Sequence, residues 1–130
     1  MTRRISITRV FDAPRDEVWR AWTEPERIAQ WWGKRGWSTP VSSVELDVRP
    51  GGVFRLNSIN DEDGREMPMD AVYTEVVEPE RLTFGTSSVT LIDLGDGRTE
   101  MRFEALVSAE VADVAAGGLA SAFDRMEELL

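Results

Sequence analysis

The chain has 130 residues, a length that suits one domain over residues 1–130 with a buried core of its own. It carries 24 acidic residues against 15 basic ones, and the resulting net charge of −9 sets it against nucleic acid or an anionic membrane as its main partner. It has no cysteine and no histidine, which excludes a disulfide framework, thiol chemistry and any imidazole base, triad or metal ligand.

In chain order, "RRISITRVF" alternates with Ile5 and Ile7 on one face and predicts a strand. "APRDEVWRAW" changes to helical spacing. Pro14 suits a first turn, Asp16 and Glu17 suit the positive end of the dipole, and Val18, Trp19 and Trp22 share a face. Thr23 with Glu26 fits a capping box opening a second short helix, on which Ile28, Trp31 and Trp32 fall at i, i+3, i+4 and Gly33 is the stop. From Val41 a strand pattern takes over. Val44, Leu46 and Val48 alternate with Glu45 and Asp47, "RPGG" turns, and "VFRLNSI" returns. "NDEDGR" reads as a polar hairpin tip. "EMPMDAVYTEVV", "LTFGTS" and "VTLIDL" are further strands, and "GDG" signals a hairpin into "RTEMRFEALV", where Met101 and Phe103 alternate with Arg102 and Glu104. From about Ala112 the tail is helical, with Leu119, Phe123, Met126 and Leu130 on one stripe. Gly117 and Gly118 either lie inside this helix, where each costs about 1 kcal/mol, or precede it.

The order is strand, two short helices, a long antiparallel meander and one long helix, an α+β pattern. A meander with an apolar face needs a cover, and the terminal helix is the one element long enough to supply it. A twisted sheet of six or seven strands around one helix leaves room for an inner space, with the short helices closing one end.

Three stretches then carry a resemblance: "FDAPRDEVWRAWTEPERIAQWWG", "ELDVRPGG" and "YTEVVEPERLTF". Together they make the chain, from Ile5 to Leu130, similar to the activator of heat-shock protein 90 ATPase homologue-like family of the START-like (SRPBCC) superfamily. The family's Asp-x-Arg-x-Gly-Gly turn would be Asp47, Arg49, Gly51 and Gly52, and its Pro-Glu-Arg-Leu corner Pro79, Glu80, Arg81 and Leu82. The resemblance implies the helix-grip fold, as in the birch-pollen allergen, with a cavity between the sheet and the C-terminal helix. The chain departs from the pattern where members carry Gly-Trp early in the last helix, since Gly118 is followed here by Leu119, and Ala71 replaces a common glycine. The chaperone-binding role in the family name belongs to relatives with an additional N-terminal domain, so a chaperone partner is open but unsupported.

All five tryptophans fall between positions 19 and 37. Trp19 and Trp22 suit the core first. Trp31 and Trp32 point about 100° apart on a helix, so one of them is the better wall for a cavity. Trp37, after "GKRG", either lies over the entrance or anchors its loop. The expected lining of an inner cavity is Trp22, Trp31, Trp32, Leu46, Phe54, Leu56, Val72, Thr74, Phe84, Met101, Phe103, Leu119 and Phe123. In "MPMDAVYTEVV" two parities compete: Val72, Thr74 and Val76 inward would bring Asp70 inside, whereas Met69, Ala71 and Tyr73 inward would leave it outside, with a bulge near Pro68. An inward Asp70 could act as a general acid or base, and Tyr73 is a second polar candidate, although packing is its simpler role. The "INDEDGREMPMD" stretch has carboxylates at loosely calcium-like offsets, but Ile59 holds the first-ligand position, so no metal is expected.

Fourteen arginines and a single lysine, Lys34, are scattered along the sequence and read as compositional bias, not as an anion site. Neither a signal peptide nor a bilayer-spanning run is evident, so the expected location is the cytoplasm, with no membrane insertion. Without a phosphate loop, no cofactor is expected. Binding of a small apolar ligand by a monomer or homodimer leads. The alternatives are a chaperone-cofactor module and a cyclase- or hydrolase-like enzyme using carboxylates.

Overall fold

Alternation at the N-terminus makes the first strand. In the computed structural model, which describes residues 1–130, β1 (Thr2–Phe11) buries Ile5 and Phe11. α1 (Arg15–Thr23) follows, with Asp16 and Glu17 in its first turn and Val18, Trp19, Ala21 and Trp22 buried. α2 (Pro25–Trp31) starts without the expected capping box. Glu24 is the N-cap, Pro25 takes the first helical position, and the Thr23 hydroxyl turns back to donate to the Trp19 carbonyl at 2.9 Å. Proline's fixed φ and missing N–H suit that position, so a side-chain cap is less needed. Trp32 closes α2, and Gly33, at φ +90°, turns the chain away.

The region from Val41 begins as a 3-10 turn (Val41–Ser43) before it becomes extended. β2 (Trp37–Ser38) and β3 (Glu45–Leu46) both pair with β4 (Val53–Asn60). β5 (Glu66–Val77), β6 (Arg81–Phe84), β7 (Ser87–Gly95) and β8 (Arg98–Ser108) continue the antiparallel meander, and β1 pairs with β8. The order is β1-β8-β7-β6-β5-β4-β2, with β3 beside β4. The sheet thus has eight strands instead of six or seven, the additional one being Trp37–Ser38, too short to show alternation. α3 (Ala112–Leu129) contains both Gly117 and Gly118 and buries Ala122, Phe123 and Met126 against the curled sheet. This is the helix-grip fold.

The parity of β5 is settled by a bulge between Tyr73 and Glu75, not near Pro68. Before it Met69, Ala71 and Tyr73 point inward; after it Val76 does. Val72 and Thr74 are therefore corrected to the outer face, where Val72 is 48% exposed and the Thr74 hydroxyl meets that of Thr83. Asp70 is outside as well, with Arg55 donating to it at 3.3 Å. The single inserted residue reverses which half of the strand is buried, so both periodicities were present in one run.

The Asp47–Gly52 turn is backbone-built. The Asp47 carbonyl accepts from Arg49 N at 2.8 Å, and Gly52 N donates to the Arg49 carbonyl at 2.8 Å. A Cβ on Gly52 would lie 1.9 Å from the Asp47 oxygen, so no side chain fits there. Gly51 N and the Gly52 carbonyl then bond Tyr73, tying the turn to β5.

Candidate functional site: an apolar cleft at one end of the sheet

The inner space expected between sheet and helix is filled with rings. Trp22 is fully buried, 4.7 Å from Trp31, 5.9 Å from Phe84, 6.3 Å from Phe103 and 6.1 Å from Phe123 between centroids. Its indole N–H points at the Met101 sulfur at 3.4 Å. Phe54 stacks on Phe84 at 4.1 Å, and Leu56 is buried in the same cluster. Edge-to-face and offset contacts of this kind add to the burial of each ring. Of the expected lining residues, Trp22, Trp31, Phe54, Leu56, Phe84, Met101, Phe103 and Phe123 are core, and Leu46 packs on its margin.

An apolar open volume lies at one end instead, between the first half of α3, the loop from Gly33 to Trp37, and the β4–β5 hairpin. It is a half-open cleft of about 310 Å³. Trp32 and Leu119 are the expected residues that line it, joined by Trp37, whose alternatives meet: it lines the cleft and also forms β2. Adjacent Trp31 and Trp32 divide as their 100° separation requires. Trp31 is fully buried and donates to the Ala21 carbonyl at 2.8 Å, whereas Trp32 is half-buried at the cleft wall.

The remaining wall was not legible as a site. Val111 contributes from the N-cap of α3, Val114, Ala115 and Gly118 from α3 itself, and Ser58 and Met67 from the β4–β5 pair. Positions 111, 114 or 115, and 118 recur at helical spacing, a second apolar stripe beside the Leu119–Phe123–Met126 one. That stripe was the available signal. The Ser58 hydroxyl is buried and shares a 3.0 Å bond with Thr39. Gly33 must be glycine on two counts: its φ is +90°, and an added Cβ would sit 3.1 Å from the Ser58 oxygen.

The loop wall is held from α3. Arg125 donates to the carbonyls of Gly33 at 2.8 Å, Gln30 at 3.0 Å, Trp37 at 3.2 Å and Trp32 at 3.4 Å, and the Ser121 hydroxyl accepts from Arg35 N at 3.0 Å. One guanidinium thus satisfies the end of α2 and fixes the loop against the helix.

The titratable candidates lie away from this cleft. Tyr73 is fully buried against Phe54 and Phe84, and its hydroxyl has no hydrogen-bond partner. Burial pushes its phenol above the ordinary value, and the Asp47 carboxylate pushes it the same way. At the hairpin tip the Arg65 backbone N–H, 2.9 Å from Asp63, holds that carboxyl below its usual range. No cluster of three or more acidic side chains is placed to hold a metal ion. No helix is long and apolar enough to cross a membrane.

A family model described as "Activator of Hsp90 ATPase homolog 1-like protein" matches residues 12–130. The chain belongs to this family. Solved structures share the family's helix-grip fold. A Nitrosomonas europaea protein is 24% identical with a TM-score of 0.84, over 97% of this chain and 92% of its own. A Chromobacterium violaceum protein is 22% identical with a TM-score of 0.85, over 98% and 97%. The AHSA1-like protein of Aeromonas hydrophila is 24% identical with a TM-score of 0.80, over 97% and 90%. Comparison with curated proteins finds no match. The family and fold fit a START-like ligand-binding or chaperone-cofactor-like module.

Proposed function

We propose that this protein binds a small, mostly apolar molecule in the end cleft. The observation that carries the reading is the contrast between a core closed by packed rings and an apolar cleft of about 310 Å³ walled by Trp32, Trp37, Leu119 and Ala122, whereas the other sizeable cleft, about 370 Å³ beside Glu24, Glu26, Arg27 and Gln30, is lined mainly by polar and charged side chains. Ligand sites are concave, largely apolar and few per protein, and this volume stands at the lower end of their range. The carboxylates that an enzyme reading would use, Asp70 among them, lie outside the cleft.

The test is a titration with a neutral apolar fluorophore, N-phenyl-1-naphthylamine, following tryptophan emission and heat. Binding should change emission saturably and give a negative heat-capacity change. Trp32→Phe should remove most of the emission change and weaken binding. Trp31→Phe should lower stability by roughly 1–3 kcal/mol, because it orphans the buried Ala21 carbonyl, and leave binding of the folded protein intact. Absence of any saturable change in the wild type would refute the reading. A protein partner would then be favoured, because Val114, Met67 and Val111, 70%, 53% and 51% exposed, form an apolar rim.

A further inference from the structure

Along the chain the basic residues look evenly scattered, but folding distinguishes one of them. Every arginine except Arg98 and Arg125 pairs with a carboxylate, and Arg125 is engaged by four carbonyls. Lys34, the one lysine, pairs with no carboxylate although the chain has 24 acidic residues. It is also the one charged residue among those lining the cleft.

Its backbone is held in place. Gly33 before it turns the chain, the Lys34 carbonyl accepts from Trp37 N at 3.1 Å, and Arg125 holds the carbonyls on either side. The Lys34 stem passes 4.0 Å from where a Gly118 Cβ would lie, and the ammonium stands 5.8 Å from the Trp37 ring centroid. The charge is therefore presented on an ordered loop at an otherwise apolar wall, which reduces the ordering cost of engaging it.

We propose that the cleft's ligand is an amphipathic monocarboxylate, its tail against Trp32, Trp37 and Leu119 and its carboxylate on the Lys34 ammonium. The inference rests on the cleft being a ligand site at all. One ammonium balances one negative charge. A dianion such as a phosphate monoester would leave excess negative charge on a protein already at −9. A half-open cleft of about 310 Å³ stands at the small end of ligand sites, which suits a medium-chain fatty acid or an aryl-alkanoic acid.

The experiment compares decanoate, 1-decanol and decylammonium, below their aggregation limits, on wild type, Lys34→Met and Lys34→Glu, with thermal melts confirming that each variant folds. Lys34→Met should weaken decanoate about fivefold, the worth of a partly exposed ion pair, and leave 1-decanol unchanged. Lys34→Glu should weaken decanoate further and tighten decylammonium. The preference for decanoate should shrink in high salt. If decanoate and 1-decanol lose equally, the stem and not the charge acts, and the headgroup assignment is wrong. If 1-decanol binds and decanoate is insensitive to Lys34, the headgroup assignment fails while the cleft reading stands. If none of the three binds the wild type, both fail.

Discussion

Tyr73 carries the one phenol of the chain, and its hydroxyl is buried without a partner. A buried orphan donor costs free energy that a ring without the hydroxyl avoids, so Tyr73→Phe should raise stability by about 1 kcal/mol in urea unfolding at neutral pH. Because the folded-state pKa lies above the unfolded value of 10.0, the native state keeps the proton where the unfolded chain loses it. Stability is therefore undiminished by this group below about pH 10 and falls as pH rises above it, and Tyr73→Phe should flatten that alkaline limb. Tyrosinate absorbance should appear together with unfolding, and an ionisation at the ordinary value in the folded protein would contradict the buried placement. The sequence left the parity of this residue open, since a run with two periodicities does not disclose which residue is the inserted one. A bulge is set by pairing with β6, which is a tertiary choice.

At the level of elements, α3 keeps two glycines in its interior that intrinsic propensity disfavours. An added methyl at Gly117 meets nothing, while at Gly118 it points to the cleft beside Lys34. Both Gly117→Ala and Gly118→Ala should stabilise by about 1 kcal/mol in thermal melts. Gly118→Ala alone should weaken binding of an apolar probe, and equal effects of the two on binding would remove Gly118 from the site. The elements themselves were readable: β1, α1, α3 and β8 all follow from periodicity, since each presents one apolar face over a long run. What failed was local. The Thr23 cap lost to Pro25, which needs no donor at its position, and β2 is too short for any pattern to register.

For the whole molecule, the sequence announced a concentration of indoles but not its division. Trp19, Trp22 and Trp31 close the core, and Trp32 and Trp37 wall the space left over. Most of the expected lining came from residues, on strands and helices alike, that are apolar because they are core, and burial and ligand contact select the same residue types. The cleft is assembled from the loop, the β4–β5 strand pair at Ser58 and Met67, and the first half of α3, which are distant in sequence and brought together by folding. Its rim also exposes apolar side chains that no core requires, the kind of surface that marks a binding function. In the proposed mode of binding, ligand occupies this end and not the space under the sheet. Backbone amide shift mapping by NMR during titration with an apolar ligand tests it most directly. Saturable shifts should concentrate at Gly33, Lys34, Trp37, Ser58, Met67 and the Val114–Leu119 stretch, with the amides of Phe84, Phe103 and Phe123 little changed. Shifts centred on those three phenylalanines, or none at all, would contradict that mode of binding.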